Sequence, residues 1–431
     1  MTSNSVTNCY VYITLPGKTE PVTAGRFTWM TNHQGVNIGR FVYGKTYLNR
    51  QDALPIDPVE LKLTSNVYET VAINGVFGAL RDAGPDHWGR RVIERYAGKS
   101  QLSELDYLLY SPDDRAGALG FGLNQTPPAP KHKFNQTFEL EKLQEIADAI
   151  VRDEDLPVDA AEVQALNLML GGTSMGGARP KTVVEDQGSL WLAKFNRSDD
   201  KWNNARVEHS MLVLARSCNL HTPESRVITV GDRDVLLVKR FDREKKQNGY
   251  ARSRMVSAMT ILRSEDSHHS REKWSYVLLV EELRRISSMP IKDAHELFKR
   301  MCFNALISNI DDHPRNHAFI AHERDWRLSP AYDLTPSTTA AVSLERRDLA
   351  MSCGDEGHFA NSRNILSQSG RFLLENDEAQ KIIKEMEEIV RQNYYSTMRS
   401  AGVSESDCER LKYSFVYPGF NYSGSWGWLP E

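Results

Sequence analysis

The chain has few of the residues that build secreted or disulfide-stapled proteins: five cysteines in 431 positions. Cys9, Cys218, Cys302, Cys353 and Cys408 are odd in number, widely scattered and form no C-x-x-C pair. That spacing argues against a disulfide framework or a thiolate zinc site and fits a reducing compartment. Long apolar runs are missing too. None approaches the ~20 residues of a bilayer-spanning helix, so no membrane association is expected. The opening residues, MTSNSVTNCYVYITLPG, lack the basic start and long apolar core of a secretory signal, and a cytoplasmic protein is expected. Nor does charge of one sign dominate. A formal net charge of −4 predicts no bulk attraction to nucleic acid or anionic lipid, although a local basic face stays open. What is present is ordinary for a globular protein, 40% hydrophobic and 26% charged residues, in a chain long enough for two or three domains.

Residues 8–48 alternate apolar and polar side chains between Gly- and Asn-rich breaks, the pattern of several short antiparallel strands. A helix is expected to start at Asp86 after Pro85, with Trp88, Val92, Ile93 and Tyr96 on one side, and a shorter one over 102–110. The Pro-rich stretch NQTPPAPKHKFNQT (124–137) marks a boundary. Helical periodicity returns over 138–153 and 160–170. Strands follow at 189–196, 225–232 and 234–243, with an amphipathic helix between the first two that carries Glu208. After Gly249 the character turns mainly helical, with amphipathic segments at 271–287, 291–309 and 377–402, the last stopped by Gly402. Residues 254–270 have no clear period, and His268–His269 within them lack a third spaced ligand. The aromatic, glycine-rich tail at 413–428 suits packing against the body.

The chemistry concentrates in NALISNIDDHPRNHAFIAHERDWRLSPAYDLTPS, residues 304–337. Asp311 is followed five residues later by Asn316, then by two short strand-like pieces around a polar turn, then by Asp333. A hairpin there would return Asp333 to Asn316, and an amide oxygen facing a carboxylate is a hard-ligand pair suited to Mg²⁺. Asp311 would be left to accept a proton from an attacking hydroxyl. Asp-x₄-Asn, a hairpin and Asp is the order protein kinases use for phosphoryl transfer. The competing reading is plain turn formation, which Asp, Asn and Pro serve equally well. Two further features bear on the choice. GGTSMGGARPK (171–181) is a glycine-rich loop whose backbone N–H groups could approach phosphates, but it is no P-loop, and a surface hairpin loop reads the same way. Lys194 sits on a strand among Leu192, Ala193 and Phe195 ahead of the Glu208 helix, the kinase order of a strand lysine and a helix glutamate, although most lysines are merely solvated charges. The strand at 234–243 ends abruptly polar, like a strand leaving one lobe for another.

With these residues in place the chain resembles the HipA family of bacterial serine/threonine kinases, best known as toxins of toxin–antitoxin pairs. SMGGARPK (174–181), AKFN around Lys194, VKRFDR (238–243), IDDHPRNHAF (310–319) and AYDLTPS (331–337) carry the resemblance. GRFVYG, PDHWGRRVI and DRAGALGF (114–121) extend it into the first part of the chain. It implies an α+β architecture: a β-rich N-terminal module (1–124), a nucleotide-binding region like a kinase N-lobe (138–250) and a mostly helical C-lobe with catalytic and metal motifs (251–431). It also implies ATP and Mg²⁺ as cofactors, Asp311 as proton acceptor, and Asn316 and Asp333 as metal ligands that also meet the nucleotide. Gly176, Gly177, Ala178, Arg179, Pro180 and Lys181 would form the phosphate loop, and Lys194 would hold phosphates. Lys239, Arg240 and Phe241 would meet the adenine, Lys239 and Phe241 through their backbone, while His313 and Tyr332 would border the nucleotide. Ser174 matches the serine at which some members autophosphorylate. Asp312 departs from the family's best-known members by putting a second carboxylate beside Asp311; the five-residue interval to Asn316 favours Asp311. The implied partners are a protein substrate, such as an aminoacyl-tRNA synthetase or other translation component, and a cognate DNA-binding antitoxin. Three alternatives stay open: a degenerate kinase-like regulator that binds nucleotide without transfer, an antitoxin-like DNA-binding protein, and a kinase acting on small molecules or lipids.

Overall fold

The computed structural model describes residues 7–99, 102–131, 134–136, 140–152, 179–338 and 345–421. Contacts divide the chain into two compact units. The first comprises Met1–Lys201, Glu224–Glu265 and Ala318–Ser329; the second comprises Trp202–Pro223, Asp266–His317 and Pro330–Glu431. No helix among the described residues is long and apolar enough to cross a membrane.

The first unit opens with the expected strands, β1 (Asn8–Thr14), β2 (Pro21–Thr31) and β3 (Asn37–Tyr43). With β4 (Tyr68–Thr70) and β5 (Leu119–Gly122) they form an antiparallel sheet ordered β4-β3-β2-β1-β5. After the short helices α1 (Lys45–Leu48) and α2 (Gly78–Asp82), α3 (His87–Ala97) begins where the sequence places it. Asp86 caps it, accepting from Gly89 N–H at 2.6 Å, and Gly98 ends it in the left-handed region at φ +60°. A reciprocal box between Ser103 and Asp106 starts α4 (Glu104–Tyr110). The buried Arg115 then finishes two helices at once. Its guanidinium donates to Ala83 O, just past α2, at 2.9 Å, and to Ser111 O, just past α4, at 2.6 Å.

The second sheet, β6-β7-β8-β10-β9, is built from β6 (Asn135–Gln136), β7 (Lys181–Asp186), β8 (Ser189–Phe195), β9 (Ser225–Val230) and β10 (Arg233–Lys239). Only the β6–β7 pair is parallel. One face meets α5 (Leu140–Arg152), which buries Leu140, Leu143, Ile146, Ala147 and Ile150. Trp88, Val92 and Ile93 of α3 belong to the same cluster as Val184, Trp191, Ala193, Val235 and Leu237 of the sheet. One apolar core therefore serves the N-terminal module and the β6–β9 sheet together.

The expectation of a mainly helical chain beyond residue 249 needs one correction. A hairpin, β11 (Arg243–Lys246) with β12 (Gly249–Arg252), and β13 (Arg254–Ser257) fill the start of that stretch. β13 pairs with β14 (Ala318–Ala321), which turns back into β15 (Arg327–Leu328) in the expected hairpin. A buried charge cluster lies just ahead of this stretch. Arg240, just past β10, forks onto Asp242 at 3.0 and 2.9 Å and also pairs with Asp114. Arg243 Nη1 donates to Asp242 Oδ2 at 2.6 Å. All four side chains are nearly inaccessible.

The second unit is helical. It holds α6 (Asn204–Ser217), α8 (Tyr276–Ile286), α9 (Pro290–Leu306), α11 (Asn376–Ser400) and α12 (Glu405–Leu411); the short α7 (Ala258–Ile261) belongs to the first unit and α10 (Ser362–Ser367) to the second. α6 starts on an Asn203 cap, and the chain turns after α11 at Gly402, φ +81°. The described part of the aromatic tail is packed, with Phe415, Tyr417 and Phe420 buried and Phe415 stacked on Tyr394 at 4.4 Å between ring centroids.

The charge cluster yields a stability prediction. Burial alone would raise the Asp242 carboxyl, but attraction from Arg240 and Arg243 outweighs it and holds the carboxyl well below the usual carboxylate range. Its contribution is whole above the unfolded value near pH ~4 and is lost as pH falls toward the depressed native value. Asp242→Ala leaves two buried guanidinium groups short of a counter-charge. Denaturant titration should give a loss of about 3–5 kcal/mol at neutral pH, with a flatter pH dependence below pH ~4 than the parent protein. A parent-like midpoint would refute the role.

Candidate active site

The site residues of the second unit hang on the end of α9. The helix stops at Leu306, five residues before Asp311, in a reciprocal C-terminal turn: Ser308 N–H donates to Ala305 O at 3.2 Å and Asn309 N–H to Asn304 O at 2.8 Å. Ser308 stands at the left-handed position usually given to glycine, φ +54°, and its buried hydroxyl donates to Ser414 O at 2.7 Å, which fixes the unusual residue in place. The chain leaves this turn as a short loop. Asp311 O accepts from His313 N–H at 2.8 Å and from Asn316 Nδ2 at 3.4 Å. The Asn316 amide thus turns its nitrogen toward the loop backbone and its oxygen, the atom a metal would take, the other way.

Asp311 and Asp312 are adjacent, yet their surroundings differ completely. Asp312 is buried; its Oδ2 accepts from the Tyr276 hydroxyl and contacts His317 Nε2 at 2.9 Å. Burial, and next the Asp312 charge, raise the Tyr276 phenol far above its ordinary value, so it stays protonated and donates. Asn304 Nδ2 bonds the same hydroxyl at 3.0 Å, and Asn309 Nδ2 joins Asn304 Oδ1 at 3.0 Å to Asp333 O at 3.4 Å. Asp311 is exposed. Its carboxyl is nevertheless raised, first by partial desolvation and then by the charges of Asp333, Asp312 and Asp266, with His313 opposing. Asp333, held at φ +60°, therefore shares the electrostatic neighbourhood of Asp311.

Crowded carboxylates with an amide oxygen nearby fit a hard divalent cation, whose charge relieves their repulsion. Among the described residues no group of three or more His, Cys, Asp or Glu could hold a metal by itself. His313 stacks edge-on to Trp274 at 6.3 Å, and its buried Nδ1 has no hydrogen-bond partner. Tyr332 anchors its hydroxyl on Arg315 O at 2.8 Å.

The first unit carries the remaining candidates. Ser174, Gly176, Gly177 and Ala178 lie outside the described residues. Arg179 forks onto Asp200 at 2.9 and 2.7 Å, and Pro180 is buried. Lys181 is buried and donates to Asp86 Oδ2 at 2.9 Å. It stands directly across the β7–β8 ladder from the half-buried Lys194. Facing lysines repel, and Asp86 neutralises one of them. Lys239 donates its backbone N–H to Glu224 O at 2.8 Å and its side chain to Glu224 Oε2 at 3.1 Å. The Arg240 side chain is committed to the charge cluster, and Phe241 is half-buried beside it. In the second unit Glu208 is buried on α6.

Sequence reasoning did not find the Tyr276–Asp312–His317 network, the Asn309 link or the Asp86–Lys181 pair. Their partners lie 36, 24 and 95 residues apart, beyond any local period. The network predicts that Asp312→Ala, which strands the Tyr276 hydroxyl and the His317 ring, should lower stability by roughly 2–5 kcal/mol. Tyr276→Phe should lose less, about 1–2 kcal/mol, because Asp312 keeps His317. Equal unfolding midpoints for the two variants and the parent would count against it.

Known proteins resemble this chain over most of its length. A model of the HipA-like C-terminal domain matches residues 173–394, and a model of the HipA N-terminal domain matches residues 20–122. The HipA chain from a Shewanella oneidensis MR-1 complex of HipA, HipB and operator DNA aligns over 94% of both chains with a TM-score of 0.66. The two are 14% identical, so the likeness speaks for the fold alone. A putative kinase of Haemophilus influenzae is 21% identical over 276 residues, 57% of this chain and 77% of the relative. The Helicobacter pylori proinflammatory kinase CtkA, 14% identical over 57% of this chain and 91% of its own, reaches a TM-score of only 0.39, too slight to carry weight. Since the C-terminal family match spans more than half of these 431 residues, the chain belongs to the HipA family and has that family's kinase-like α+β fold.

Proposed function

We propose that the chain is an ATP- and Mg²⁺-dependent serine/threonine protein kinase of the HipA type. Asp311 accepts the proton of the attacking hydroxyl as its oxygen bonds the γ-phosphorus and the β–γ bridging oxygen leaves with ADP. The observation that carries this reading is the contrast between the two adjacent aspartates. Asp312 is spent on Tyr276 and His317, whereas Asp311 is exposed, its carboxyl raised by partial desolvation and by the neighbouring carboxylates. Asn316 and Asp333 would hold Mg²⁺, which neutralises charge on the phosphate oxygens when bound. In the first unit Lys194 binds phosphates, with residues 176–181 as the phosphate loop, and 239–241 meet the adenine. Residues 1–124, 138–250 and 251–431 are the corresponding functional divisions.

The substrate is a protein hydroxyl, with translation components as the first candidates, and Ser174 is an intramolecular acceptor. A phosphate there would bring about two negative charges into a loop meant for phosphates, and so oppose ATP binding. The Shewanella oneidensis relative was captured with HipB and operator DNA. A cognate DNA-binding antitoxin is the corresponding partner here, and the cytoplasm is the compartment.

With γ-labelled ATP and purified protein, Asp311→Asn and Asp333→Asn should each lose at least about a hundredfold in label transfer, with unchanged thermal unfolding. EDTA should stop transfer in the parent, and excess Mg²⁺ should restore it. Undiminished label in both variants would refute the assignment. Loss of all label on Ser174→Ala, with transfer to an added protein retained, would identify the self-modification site.

A further inference from the structure

Two buried ion pairs tie the N-terminal module to the strands that carry the proposed nucleotide contacts. In the first, the two oxygens of Asp86 do different work. Oδ1 caps α3 through Gly89 N–H, and Oδ2 accepts from Lys181 Nζ at 2.9 Å, where β7 begins. The two side chains are 4% and 2% exposed. In the second, the turn at 114–117 grips residues 240–243. Arg240 pairs with Asp114 and donates to Arg115 O at 2.8 Å. Asp242 Oδ2 accepts from Gly117 N–H at 2.9 Å, and Arg243 Nη1 returns a bond to Gly117 O at 2.9 Å. Gly117 lies at φ +76°, and a Cβ there would meet Met255 N at 3.2 Å. Neither partner of such a pair can move alone without leaving a charge stranded in the interior. A displacement of the module is therefore passed to the strand ends. The shared core of Trp88, Val92 and Ile93 with Trp191, Ala193 and Val235 removes any slack between them.

We propose that the N-terminal module sets nucleotide affinity, with Asp114 and Asp86 as positioning residues. Asp114, through Arg240, fixes the backbone of Lys239 and Phe241 that meets the base. Asp86, through Lys181, fixes the start of β7 opposite Lys194, which meets phosphate. This rests on the ATP reading above. The two residues act on opposite ends of the nucleotide, so their loss leaves different signatures.

The test is calorimetric titration of the full-length protein with ATP and with inorganic triphosphate, each with Mg²⁺. Asp86→Asn keeps the helix cap, because asparagine caps as well as aspartate, but removes the charge facing Lys181. It should weaken both ligands about tenfold. Asp114→Asn should weaken ATP about tenfold and leave triphosphate unchanged, and should raise KM for ATP with kcat kept. Asp114 Oδ2 has no hydrogen-bond partner, so an amide nitrogen there breaks no bond. Asp114→Glu keeps the charge one methylene further out and should show the same selectivity to a smaller degree; it carries the test if the asparagine variant does not fold. Thermal melts establish that each variant is folded at the titration temperature. Parent affinities in every variant, or equal losses of ATP and triphosphate in the Asp114 variants, would overturn the inference while the parent still binds ATP. A parent that binds neither ligand would overturn the ATP reading and this inference with it.

Discussion

A charge that leaves water must bring a counter-charge with it or, like Arg115, a set of carbonyl oxygens, and that constraint sorts the ionisable residues of this chain into structural and chemical sets. Arg240, Asp242, Arg243 and Asp114 are buried and neutralise one another. Lys181 is buried and faces Asp86. Asp312 is buried and holds Tyr276 and His317. Asp311 and Lys194, both given roles in the proposed transfer, keep access to solvent. Since an unpaired buried charge costs several kcal/mol, the pairs also set which chain segments must stay together. The turn at 114–117 cannot part from 240–243, nor α3 from the start of β7.

Much of this was legible in the chain. Asp-x₄-Asn followed by a hairpin and Asp is local, and both the β14–β15 pairing and the electrostatic closeness of Asp333 to Asp311 are found in the fold. The start of α3 was legible because its capping side chain, Asp86, carries the information; the caps of α4 and α6, Ser103 and Asn203, are seen in the fold alone. The strands at 243–257 were not, because half their side chains answer to partners such as Asp113 and Pro55 O, 139 and 199 residues away in sequence. A period of two is erased when alternate positions are chosen by distant carboxylates and carbonyls rather than by an apolar face.

Sequence also names site candidates without showing what else their side chains hold. Lys181 and Arg179 read as part of a phosphate loop, yet each rests on a carboxylate, Asp86 and Asp200. Arg240, read as lining the nucleotide, spends its whole fork on Asp242, Asp114 and Arg115 O. A motif residue can hold its own segment in place through a buried partner, as Lys181 and Arg240 do here. The distinction lies in burial, which spacing does not encode.

The fate of the two adjacent aspartates follows from the turn that precedes them. Ser308 in the left-handed region sends the chain sharply off the axis of α9. Neighbouring side chains in the irregular stretch that follows then diverge. The side chain that turns inward is buried and meets the Tyr276 hydroxyl and the His317 ring. The outward one is partly desolvated and lies among other carboxylates, and its carboxyl is raised. The same backbone feature that makes Asp312 a structural anchor thus leaves Asp311 outside that network, where the Asp312 charge adds, behind partial desolvation and Asp333, to what raises its carboxyl.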